Sequence, residues 1–224
     1  MTSAIYLYVG PSAYGCGIER SAGDGVNWMP PVRRGDITKL CVEVSIPGVV
    51  AIADGTFHSY PSVGHEEIRI ALEGGWKVYG LCSMGAIRAS EMAHLGMIPF
   101  GEVARRFCTD PNFSDDEVCL IHSNEAPYFP MSEPLIHFRE LLAALEAREL
   151  VGSRQSQLAI QSLKCRWYGE RTMQAFEIEM MRALDVEVLP ELIRHELDDF
   201  QKFRLKQSDL LSFVSARAWE HDLE

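Results

Sequence analysis

Three short apolar runs constrain this chain more than any other feature: AIYLYV (4–9) before Gly10, PGVVAIADG (47–55) ending in Asp54-Gly55, and WKVYGLC (76–82) before Ser83. Strands that are apolar along their whole length are those buried on both faces, as in a parallel sheet. Between the second and third runs lies a helical pattern. Ser62 is placed to cap it, Glu66 and Glu67 suit its positive first turn, Ile68, Ala71 and Leu72 form its apolar stripe, and Gly74-Gly75 stops it. A second helix is predicted from Met84 to His94, closed by Gly96. Strand, helix, strand, helix implies a parallel sheet with right-handed crossovers. VCLIH (118–122) reads as a further strand, although Ser114-Asp115-Asp116-Glu117 before it has the spacing of a capping box that starts a helix.

After Pro127 and Pro130 the texture changes. Residues 132–152 predict a long amphipathic helix with Ser132 at its cap, Pro134 in its first turn and Leu135, Phe138, Leu141, Leu142 and Leu145 on its apolar side. Helical stretches follow at 153–165, 171–185 and 190–220, the last broken near Ser208. The expected fold is therefore α/β: an N-terminal parallel-sheet, Rossmann-like βαβ half over 1–126, then an all-helical C-terminal half over 127–224 packed on that core. With 224 residues, 47% of them hydrophobic, a real core can be filled.

A formal charge of -11, from 32 acidic and 21 basic residues, argues against nucleic acid or an anionic membrane surface as a partner and favours proteins or peptides. MTSAIYLYVGPS has no basic segment and only a short apolar run, so neither a signal peptide nor a spanning helix is expected there, and the expected location is cytoplasmic. The six cysteines are scattered without a C-x-x-C pair, which implies neither a disulfide framework nor a structural metal.

Ligands of open α/β sheets sit beyond the carboxyl ends of the strands. Three loops occupy such places: Gly10-Pro11-Ser12, Asp54-Gly55-Thr56-Phe57 and Cys82-Ser83-Met84-Gly85. Ser83 stands at a strand-to-helix junction with Gly two positions later, as in a nucleophile elbow, but Leu81 occupies the position of the first Gly. Cys82 as nucleophile would fit Gly80 but set Met84 where the second Gly belongs. Equally, Ser83 can be an ordinary helix cap. Arg88 and Glu91 are three apart and suit a surface pair, while Arg88 is also long enough to reach an anion at the helix start. His58, His65 and His122 are candidate bases, and Asp54 can orient one or cap its own turn. Asp115, Asp116 and Glu117 offer carboxylates for a cation but lack a spaced fourth ligand.

GPS (10–12), PPVRRGD (30–36), IADGTF (52–57), HEEI (65–68), SMGAIRASEM (83–92), HLGM (94–97) and DDEV (115–118) occur in the order seen in TfuA-like proteins, which the chain resembles over residues 4–122. Cys82, Ile87 and Met92 depart from that family's usual residues, and the helical half matches no pattern of it. The resemblance implies a partner of a YcaO protein in peptide backbone thioamidation. It would supply sulfide by recruiting and hydrolysing a thiocarboxylated, ubiquitin-like sulfur carrier, with the substrate peptide met through the YcaO complex. No cofactor or metal of its own is implied, ATP being used by YcaO. Carried onto this sequence, Ser83 becomes nucleophile or positioning hydroxyl, with Cys82 beside it, the Met84 and Gly85 N–H groups donors, Arg88 the carboxylate binder with Glu91 near it, and Asp54 and His65 the acid–base pair. Gly10, Pro11 and Ser12 line the opposite wall, Gly55 and Phe57 belong to the second loop, and Arg34 and Asp36 come from the PPVRRGD segment. A non-catalytic adapter that binds YcaO and the donor or peptide is the alternative.

Overall fold

The computed structural model describes residues 4–18 and 25–221. They form two compact units, Met1–Ser114 with Lys206–Glu224, and Asp115–Leu205. Residues 115–126 thus belong with the helices rather than with the sheet, and the last helix returns to the sheet unit, so the division does not fall at 126/127.

In the first unit, β1 (Ile5–Tyr8), β2 (Val26–Met29), β3 (Val49–Ile52), β4 (Lys77–Gly80) and β5 (Ile98–Pro99) form a parallel sheet in the order β2-β1-β3-β4-β5. Helices α1 (Asp36–Glu43), α2 (His65–Glu73), α3 (Met84–Met92) and α4 (Gly101–Thr109) follow β2, β3, β4 and β5. β3 is buried throughout and β1 and β4 nearly so, which is why their sequences are continuously apolar. β2 lies at the sheet edge and is half-exposed, and β5 has two residues; neither carries that signature.

α2 starts two residues later than Ser62 suggests. Gly64 is its N-cap, and its N–H donates to Glu67 Oε1 at 2.7 Å, while the Ser62 hydroxyl accepts from Arg88. The other oxygen of Glu67 accepts from Gly35 N (2.9 Å) and Ile37 N (3.2 Å). One buried carboxylate therefore ties the starts of α1 and α2 together.

The start of α3 lies unusually deep. A Cβ on Gly85 would stand 1.6 Å from the Ile52 carbonyl oxygen, and one on Gly80 would stand 2.1 Å from the Gly85 carbonyl oxygen. Only two residues without side chains let the helix backbone rest on β3 and β4.

The end of the chain closes the same unit. In α9 (Leu205–Ser215), the Lys206 carbonyl accepts from the Cys82 thiol at 3.2 Å, the Gln207 amide donates to Tyr14 O at 2.6 Å, and Asp209 accepts from Glu102 N and Val103 N, both at 2.9 Å. Asp209 thus caps α4. Leu210 and Phe213 pack against Leu7, Ala51 and Tyr79, with the Tyr79 and Phe213 rings 5.4 Å apart. The break before α9 falls at a tight turn over Phe200–Phe203 rather than near Ser208.

In the second unit, VCLIH is not a strand. Asp115–Glu117 makes one tight helical turn, and His122 forms only an isolated bridge to Pro130. The capping-box reading was nearer, since a helical turn does form there, but it does not propagate. α5 (Leu135–Ala147) begins after Pro134; the expected cap, Ser132, instead accepts from Ile121 N. With α6 (Ser153–Lys164), α7 (Met173–Leu184) and α8 (Glu191–Asp198) it encloses a core in which Phe138 stacks on Phe176 at 4.7 Å.

Two outcomes follow from this architecture. Gly85→Ala forces backbone against backbone and is expected to lower stability by about 3 kcal/mol or more, whereas Gly64→Ala, whose Cβ has its nearest neighbour at 3.6 Å, costs under about 1 kcal/mol; denaturant midpoints of both variants test this. Burial holds the Asp209 carboxyl up, from 3.8 to about 6, against the pull of its two N–H donors. The folded state then binds a proton that the unfolded state lacks between these values, so the contribution of Asp209 to stability rises as pH falls through about 6. Wild type should gain roughly 1 kcal/mol over Asp209→Asn between pH 7 and pH 5, read from urea unfolding at both values.

Candidate functional site

The loops after β1, β2, β3 and β4 converge at the carboxyl edge of the sheet, beside the point where the strand order reverses. Asp54 organises them. Its Oδ2 accepts from Gly10 N (2.8 Å) and Ser12 N (2.9 Å), and its Oδ1 accepts from Ser12 Oγ (2.7 Å). Its carbonyl accepts from Val32 N at 2.9 Å, and Val32 bridges Gly55. Pro11 lies buried in the first turn beyond β1. Gly55 is pressed so close to Met84 that a Cβ there would lie 2.8 Å from Met84 Cγ. Ser83 N donates to Ala53 O at 3.1 Å, which joins the third loop to the second.

Ser83 is the N-cap residue of α3 and is 3% exposed, yet its hydroxyl caps no N–H and meets no hydrogen-bond partner among the described residues. It is not an ordinary cap. Of the first-turn amides, Gly85 N reaches Ala53 O at 3.4 Å and Ala86 N reaches Leu81 O at 3.2 Å. Met84 N, at the first helical position, is the donor that points out of the helix beside Ser83.

Cys82 takes the strained place of an elbow, with a left-handed φ of 62°. Its side chain, however, turns into the core and donates to Lys206 O. Burial pushes the thiol well above its ordinary value, Asp209 and Asp54 push it further, and Lys206 pulls the other way. A nucleophilic sulfur needs the thiolate, so this geometry gives Cys82 a positional part.

The remaining candidates are held elsewhere. His65 Nε2 meets Glu91 Oε2 at 2.8 Å, and Arg88 Nη1 meets the same oxygen at 2.7 Å. Arg88 also donates to Val63 O and Ser62 Oγ. Glu91 lies eight residues beyond Ser83, about 12 Å along the helix axis. The surface-pair reading of Arg88 and Glu91 therefore describes the structure, and neither His65 nor Arg88 faces the Ser83 hydroxyl. Arg34 donates to Ser62 O, and Asp36 accepts from Arg33 N on an exposed turn. Phe57 packs on the α1–α2 side of the core, and His58 is exposed. His122 belongs to the helical unit, its ring set edge-on to Tyr128. Asp116 is paired with Arg171, and Glu117 with Arg139 and Lys164.

Lys206, Gln207 and Asp209, all buried at the site's floor, have no counterpart among the sequence candidates. In KQSDLLSF (206–213) they read as the wet face of a terminal helix. Only the long-range return of the chain buries them.

A model of the family described as TfuA-like protein matches residues 54–172. The match begins at Asp54 and takes in the CSMG turn and α3. It also runs through α5 and α6, for which the motif resemblance offered no pattern, while GPS and PPVRRGD precede it. No curated protein matches the chain. No helix among the described residues is long and apolar enough to cross a membrane. The matched span covers more than half of the chain and contains the Ser83 turn: the protein belongs to the TfuA-like family.

Proposed function

We propose that this protein is the sulfur-side partner of a YcaO protein in peptide backbone thioamidation, and that the carboxyl edge of its sheet receives the C-terminal thiocarboxylate of a small ubiquitin-like sulfur carrier. The observation that carries this reading is Ser83: a buried residue whose hydroxyl meets no hydrogen-bond partner among the described residues, next to the Met84 N–H at the start of α3. Two such donors, preorganised at the positive end of a helix, suit an acyl oxygen that gains negative charge. Membership of the TfuA-like family supports the assignment.

The step is hydrolysis. Water adds to the thiocarboxylate carbon, the C–S bond breaks, and a carboxylate and hydrogen sulfide leave. Among the described residues no side-chain base is bonded to Ser83 Oγ, so Ser83 serves as oxyanion donor and water as the nucleophile. Asp54 holds the opposite wall through Gly10 and Ser12. YcaO supplies the ATP-dependent activation of the peptide amide, and the protein works in the cytoplasm. The adapter reading is favoured by a different observation, the engagement of His65, Arg88 and Asp54 away from Ser83; an adapter would act stoichiometrically.

The test is sulfide release from a thiocarboxylated carrier by the purified protein at substoichiometric amounts. Ser83→Ala should slow release roughly 100-fold, the effect of losing one oxyanion donor, while Cys82→Ala and His65→Ala stay within a few fold. Unchanged release by Ser83→Ala overturns the role given to Ser83. Release that needs YcaO and saturates at one equivalent establishes the adapter.

A further inference from the structure

A groove of about 370 Å³ runs between α5 and α6 in the helical unit. The two helices are consecutive and joined by a short connection over residues 148–152, so they run antiparallel, and the groove has two chemically different ends. At one end stand Arg139 and Lys164. Both lean on the single buried carboxylate of Glu117, Arg139 at 2.7 and 2.8 Å and Lys164 at 3.4 Å. Two cations on one carboxylate leave one positive charge over, with spare N–H donors on each side chain. At the other end, near the connection, stand Glu146 and Ser156. Leu142 and Ile160 floor the space between.

Ser156 supplies the second, independent observation. It is 5% exposed, and its Oγ is fully buried without a hydrogen-bond partner. A hydroxyl inside an α-helix ordinarily turns to the carbonyl four residues back or to water, and leaving it unpaired costs about 1–3 kcal/mol. Ser156 is nevertheless one of the residues that line the groove.

We propose that the α5–α6 groove binds a short extended peptide with an apolar centre, its free carboxylate at Arg139 and Lys164 and its amino end at Glu146 and Ser156. The charges fix the direction and the length. Arg139 to Glu146 spans seven residues of α5 and Lys164 to Ser156 eight of α6, about 10 and 12 Å at the helical rise. That span suits three or four residues of extended chain at about 3.3 Å each. Carboxylate at one end, ammonium at the other and apolar side chains over Leu142 and Ile160 match the groove in order. Rotation about the Ser156 Cα–Cβ bond brings its hydroxyl to the groove surface, where it gains the partner it lacks, and the groove lies wholly in the helical unit.

The test uses the full chain and the tetrapeptide Ala-Leu-Leu-Ala with free ends, followed by chemical shifts of the Leu142 and Ile160 methyl groups and by calorimetry. Saturable shifts at these methyls are expected, weakened at least tenfold when the peptide is amidated at its C-terminus and by Arg139→Gln, and also weakened by acetylation of its N-terminus. Ser156→Ala gives a paired readout of opposite signs: thermal stability equal to or above wild type, because an unpaired polar atom is removed, and peptide affinity reduced about tenfold. Absence of shifts at millimolar peptide, or equal binding of the free and amidated peptides, overturns the proposal.

Discussion

The carboxyl edge of the sheet hangs on one side chain. Asp54 spends its carboxylate on two backbone N–H groups and a hydroxyl from the loop after β1, and its own carbonyl on the loop after β2. Charged acceptors make the stronger hydrogen bonds, and the two N–H groups would be stranded in a dry interior without it. Asp54 joins these two loops to the end of β3, the loop after β1 through its carboxylate and the loop after β2 through its carbonyl. Asp54 is also the first residue matched by the family model. Its acceptor positions are committed to architecture, which separates it from the acid–base chemistry that its place at a strand end suggests.

The second constraint is steric and acts on the same edge. Gly80 and Gly85 let α3 sink onto β3 and β4, and the chain turns from strand to helix within Leu81, Cys82 and Ser83. Such a turn leaves one residue with a left-handed backbone, here Cys82, and sends its side chain inward to the Lys206 carbonyl. The thiol is stored by α9, the last helix of the chain, through the Lys206 carbonyl, while the Ser83 hydroxyl beside it takes no part in that storage.

Most of the sheet's centre was legible from sequence because β1, β3 and β4 are buried on both faces and their residues say so. α3, α5, α6 and α7 were legible through their period and stops. β2 and β5 were not, since an edge strand and a two-residue strand carry no such pattern, and α1 and α4 follow them. VCLIH misled because apolar, β-branched residues are equally at home in an irregular buried segment, where Val118 is fully buried with no strand beside it. Within the site, the convergence of the GPS, DGTF and CSMG loops could be read from their common place at strand ends. The pairing of His65 with Glu91 could not, nor could the contribution of Lys206, Gln207 and Asp209, because each depends on a contact between segments far apart in sequence.

The acidic residues show why reading chemistry from residue type alone assigns too many actors. Asp54 is a candidate acid or base in the sequence, and it instead accepts backbone N–H groups where a loop begins, as Glu67 and Asp209 do where helices begin. Loops and helix starts leave donors unpaired, and a buried carboxylate with two oxygens satisfies two or three at once. In a chain with 32 acidic residues and a sheet edge made of four loops, such struts are the cheapest way to hold the edge still. The groups left for ligands are then those that the scaffold has not satisfied. Ser83 in the sheet unit and Ser156 in the helical unit are small, neutral and unremarkable in sequence; both are buried residues whose hydroxyls meet no partner among the described residues, and that of Ser156 is itself fully buried. A polar atom kept in that state costs stability for as long as it stays empty, so the site worth testing is where the structure tolerates the cost.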